Sequence, residues 1–80
     1  MYYVIIIQRG ETESRAIYGY ENYDDAVIAY HSNCGSNRTA VKNGTLSFYL
    51  VKLENDFGNT ELVERFEKPV EPVEPEQNEE

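Results

Sequence analysis

Residues 2–8 read YYVIIIQ, and the fold turns on what covers them. In an extended strand successive side chains point to opposite faces, so Tyr3, Ile5 and Ile7 point one way while Tyr2, Val4 and Ile6 point the other. Both sets are apolar. A strand with one face in water alternates apolar and polar residues; this one does not, so something has to cover each of its faces.

After this strand, Arg9-Gly10-Glu11 is a polar turn. Residues 12–20, TESRAIYGY, alternate as a second strand of a hairpin. Ser14, Ala16, Tyr18 and Tyr20 share one face of it, and its polar composition places it nearer an edge. The period then changes. Asn22 can cap a helix, and Asp24 and Asp25 fall in its first turn, where carboxylates complement the helix dipole. Tyr23, Ala26, Val27, Tyr30 and Cys34 make one apolar stripe, and Gly35 stands where a helix often ends. The spacing therefore predicts a helix of about three turns, enough for one face of a small sheet.

Residues 35–44, GSNRTAVKNG, read as a polar loop. A third strand follows over 45–54, with Leu46, Phe48 and Leu50 on one face and Tyr49, Val51 and Leu53 on the other. Residues 55–59, NDFGN, form a turn. Residues 60–67, TELVERFE, read as a fourth, edge strand whose charges discourage stray pairing. The expected fold class is α+β, with a four-stranded antiparallel sheet and one helix in the order ββαββ. A single domain occupies residues 1–68. Residues 69–80, PVEPVEPEQNEE, have the composition of a disordered, solvated tail of polyproline-like character.

The chain carries a net charge of −8, and that tail holds five of its fifteen acids and no base, so the body is only mildly acidic. Phosphate neutralisation needs clustered Lys and Arg, so direct nucleic-acid binding is not expected. The apolar N-terminal run is too short to span a membrane and lacks a basic segment and a small-residue cleavage site. The single cysteine cannot form an intrachain disulfide and points to a reducing compartment, most simply the cytoplasm.

Candidates for chemistry are few. His31 and Cys34 lie three residues apart on the helix, the spacing of a base beside a thiol, but Cys34 falls on the apolar stripe and no third group orients the imidazole. Adjacent Asp24 and Asp25 diverge by about 100° and do not converge on a ligand. One histidine and one cysteine are too few soft ligands for a zinc site. Gly35, Arg38 and Lys42 lack the spacing of a phosphate-binding loop. The sequence thus points to no catalytic residue, metal or cofactor.

The tyrosines stand out. Tyr2, Tyr3, Tyr18, Tyr20 and Tyr49 fall on predicted strands, and tyrosine suits protein interfaces because it is large, stiff and half polar. If the first and third strands are central neighbours, one helix leaves an apolar sheet face uncovered, and monomers rarely leave such a patch bare. The expected partner surface is Tyr2, Val4, Ile6, Tyr18, Tyr20, Tyr49 and Val51, with Glu61, Glu64 and Glu67 as an acidic rim matched to a basic protein. The occupant is either another protein or a second copy in a homodimeric structural or accessory protein.

The run YYVIIIQRGETESRAIYGYENYDDAVIAYHSNCG, with its A-x-x-x-Y-H pattern at Ala26–His31, resembles small acidic proteins of gut Firmicutes and their phages. The resemblance covers most of residues 2–54 and implies no known activity. It is similar in type to anti-CRISPR and other anti-defence inhibitors that bind host proteins, and it assigns no site residues.

Overall fold

A computed structural model describes residues 1–68 of the chain; the proposed tail lies outside the described residues. The fold is α+β, and the elements follow in the order β1 (Tyr2–Arg9), β2 (Glu13–Tyr20), α1 (Tyr23–Lys42), β3 (Phe48–Asn55) and β4 (Thr60–Glu67). The strands form one antiparallel sheet in the order β2-β1-β3-β4, so β1 and β3 are the central neighbours and the two polar strands are the edges. β2 and β3 both run antiparallel to β1, and α1 carries the chain between them across one face of the sheet.

The turns are built from residues suited to them. A Cβ on Gly10 would stand 2.5 Å from the Thr45 carbonyl oxygen, so only glycine allows the β1–β2 turn to approach the segment leading into β3. Asn55 turns the chain between β3 and β4 by accepting from the backbone N–H groups of Phe57 (2.9 Å) and Asn59 (3.0 Å).

α1 begins as its sequence requires. The Asn22 side chain accepts from the N–H groups of Asp24 (2.7 Å) and Asp25 (3.4 Å). It does not end at Gly35. The helix continues through Ser36–Lys42 and stops at Asn43, whose N–H reaches the Thr39 carbonyl, with Gly44 following at φ +84°. The predicted loop over 35–44 is therefore mostly helix, and β3 starts at Phe48 instead of Thr45. The reason lies at Asn37. The buried stripe runs Ala26, Tyr30, Cys34, Asn37, and its fourth position is polar, which masks the periodicity. Asn37 is buried at no hydrogen-bonding cost: its oxygen accepts from Gln8 Nε2 (2.6 Å) on β1, and its nitrogen donates to the Asn33 carbonyl (2.7 Å). At 20 residues α1 is about 30 Å long, comparable with the eight-residue strands it crosses.

The core lies between α1 and the face bearing Val4 and Ile6 of β1 and Tyr49, Val51 and Leu53 of β3, all buried, with Ala26, Tyr30 and Cys34 from the helix. Tyr2 and Tyr20 pack against its margin, and Tyr2 meets Tyr23 edge-on with ring centroids 5.1 Å apart. This corrects the expected partner surface. Tyr2, Val4, Ile6, Tyr20, Tyr49 and Val51 lie on the helix side of the sheet, so Val4, Ile6, Tyr49 and Val51 are core residues with no surface to offer a partner. Tyr18 shares that side of β2 and is half exposed at its margin. The uncovered face is the opposite one.

Candidate functional site

The strand register builds the uncovered face residue by residue. Cross-strand partners point to the same face, and alternate residues of each strand share it. One row across the sheet is Ile17, Ile5, Lys52, Val63, and the next is Arg15, Ile7, Leu50, Arg65. These rows are flanked at one end by Glu13, Arg9, Phe48, Glu67 and at the other by Gly19, Tyr3, Glu54. Five aliphatic side chains thus form a continuous patch in the two middle rows. Ile17 at one edge is 66% exposed and Val63 at the other 57% exposed. Tyr3 closes one end, its ring leaning over the bare backbone of Gly19. At the other end Phe48 is covered by two guanidinium groups, Arg9 at 4.6 Å and Arg65 at 5.2 Å from the ring centroid. No other described element lies on this face.

Three of its four cations are paired along the strands, and the fourth, Arg9, lies over Phe48. Arg15 bonds Glu13 (3.4 Å), Lys52 bonds Glu54 (2.8 Å) and Arg65 bonds Glu67 (3.2 Å), each two residues apart on one strand. The expected acidic rim is therefore dispersed. Glu67 is tied to Arg65 on the open face, and Glu61 accepts from Asn55 Nδ2 at the β3–β4 turn. Glu64 points to the helix side. There Arg38 donates to both of its oxygens (2.8 and 2.7 Å), and the buried Tyr49 hydroxyl donates to one of them (2.5 Å).

Among the described residues most of the perturbed ionisable groups lie in that cluster; Asp56, held below the usual carboxylate range by the N-terminal ammonium, stands apart from it. Arg38, and then the Tyr49 hydroxyl, hold the Glu64 carboxyl below the usual carboxylate range. Burial, followed by a hydrogen bond with Cys34, pushes the Tyr30 hydroxyl up to about 12. Burial likewise pushes up the Cys34 thiol and, together with the bond to Glu64, the Tyr49 hydroxyl. The arrangement favours a protonated thiol, the opposite of an activated nucleophile. Cys34 is in the core beside Tyr30 and Glu64, while His31 is exposed, its ring edge-on to Tyr30 at 5.1 Å. An open groove of about 330 Å³ beside the cluster, lined by Arg38, Val41, Tyr49, Glu64, Arg65 and Phe66, presents only charges that are already paired. The cluster ties α1 to β4. Gly35, Arg38 and Lys42 lie along the helix and form no anion-binding loop.

Among the described residues, no group of three or more His, Cys, Asp or Glu side chains is placed to hold a metal ion, and no helix is long and apolar enough to cross a membrane. No protein-family model, no curated protein and no solved structure matches this chain.

Proposed function

We propose that the protein is a non-catalytic protein-binding module that works through the open face of its sheet. One observation carries this reading: Ile5, Ile7, Ile17, Leu50 and Val63 stand together in two adjacent cross-strand rows that α1 leaves uncovered. A patch of this kind on a small acidic chain stabilises an assembly by its own burial, at roughly 25 cal/mol per Å² of apolar surface removed from water. Tyr3 and the Arg9–Phe48–Arg65 stack give its ends the aromatic and arginine character typical of interface anchors. Inhibition of another protein is one form such binding takes. It would rest on this face and not on Glu61, Glu64 and Glu67, whose carboxylates serve contacts within the chain.

The reading is tested with the tagged full chain as bait, offered both cell extract and a differently tagged copy of itself. Ile17→Glu with Val63→Glu should abolish capture of whatever protein the wild type retains. Ile28→Glu, at a 66% exposed position on α1, should leave it intact. Capture that ignores the Ile17 and Val63 changes, or that is lost with Ile28→Glu alone, contradicts the reading.

A further inference from the structure

We infer that the occupant of the open face is a second copy of this chain, packed sheet against sheet. The inference rests on the reading of this face as an interaction surface and names its partner. Charge distribution is the first ground. The chain has a net charge of −8 and only seven cationic side chains. Four of them, Arg9, Arg15, Lys52 and Arg65, lie on the open face by strand register. The carboxylates in register with them are each held by a cation two residues away. The face is therefore close to neutral on a chain whose remaining surface is acidic. Two copies repel each other in most orientations, and repulsion is least when their open faces meet. A strongly basic partner finds no unpaired carboxylate here. An acidic one finds the cations engaged, with Arg9 folded over Phe48.

Shape and extent are the second ground. Four strands about 4.8 Å apart and eight residues long, at about 3.3 Å per residue, give a face of about 500 Å². Two such faces bury about 1,000 Å², the lower end of what a specific interface needs. A twofold pairing requires a surface complementary to itself. Here an aliphatic centre would meet an aliphatic centre, and both outer strands carry an arginine and a glutamate side by side, Arg15 with Glu13 and Arg65 with Glu67. The rotation of about 30° between packed sheets lets an arginine of one copy approach a glutamate of the other. The long arginine and lysine stems add apolar cover while their heads reach water at the rim.

Sedimentation equilibrium of the purified full chain, from micromolar to millimolar concentration, tests this. The mass should rise from that of one chain toward that of two. Association should tighten with added salt, because screening removes repulsion between chains of charge −8. Ile17→Glu with Val63→Glu should weaken association by at least about tenfold, and Ile28→Glu should not. Circular dichroism checks that each variant is folded. Hydroxyl-radical labelling of Ile5 and Leu50 in the wild type, which should fall as concentration rises, gives the same answer without any substitution. A monomer throughout the range overturns self-pairing and leaves the interaction reading to the bait experiment. A dimer that ignores the paired substitution, or labelling that ignores concentration, also overturns self-pairing. A monomer whose bait captures nothing through this face overturns both.

Discussion

Glu64 joins α1 to the sheet by accepting from Arg38 of the helix and from the Tyr49 hydroxyl of β3. In TELVERFE it is one of several acids on an edge strand, and nothing nearby in sequence marks it as different from Glu61 or Glu67. Its partners, Arg38 and Tyr49, lie 26 and 15 residues away, so its role exists only once α1 has docked. Glu64→Ala leaves the buried Tyr49 hydroxyl without its acceptor and should cost about 1–3 kcal/mol in a denaturant titration. The cost should shrink in a Tyr49→Phe background, where there is no hydroxyl to orphan. The same cluster makes the stability of the fold depend on pH at both ends. Glu64 has a lowered pKa, so its contribution is complete above the ordinary carboxylate value and is lost as pH falls through the folded value. Tyr30 is raised from 10.0 to about 12, so its contribution is complete below pH 10.0 and is lost as pH climbs through about 12. Thermal melts should therefore show an acid arm that Glu64→Ala flattens and an alkaline arm that Tyr30→Phe flattens.

At the scale of elements, strand identity, the capped helix start and the two edge strands were legible, because alternation, Asn22 and the polar composition of β2 and β4 are local signals. The helix end was not. Gly35 resembles a terminator, and Asn37 interrupts the apolar stripe at the point where the helix needs it to continue. Asn37 is tolerated because Gln8, distant in sequence, supplies its partner. The two glycines distinguish the alternatives. A Cβ at Gly35 meets nothing within 4 Å, so Gly35→Ala should stabilise the protein by up to about 1 kcal/mol, the usual gain of alanine over glycine inside a helix. Gly44 holds φ +84°, and Gly44→Ala should destabilise it by about 1–2 kcal/mol. A helix ending at Gly35 would reverse the first result. Guanidinium titrations of the two variants measure both.

At the scale of the whole molecule, the opening segment is apolar on both faces, and it could not show which face the helix takes. Both sets of β1 side chains are apolar, so the choice depends on neighbours brought in by register. On the helix side, Glu64 is the one charged residue in the paired register. On the open side stand Arg9, Arg15, Lys52, Arg65 and the glutamates beside them. Burying the first set strands fewer charges, which is why the surface expected from the tyrosines became the core. It also explains why the uncovered face is apolar yet nearly neutral. The paired change Ile17→Glu and Val63→Glu should alter stability in dilute solution by no more than about 1 kcal/mol in total, since both positions are mostly exposed. The most direct measurement compares two adjacent positions. Ile5→Cys and Ile6→Cys are made separately, with buried Cys34 left in place as a slow internal standard, and alkylation is followed in dilute neutral solution. Ile5→Cys should react promptly and become protected as its partner is added, while Ile6→Cys should react no faster than Cys34. Prompt reaction at Ile6→Cys with protection of Ile5→Cys in dilute solution would place the helix on the other face and contradict the account.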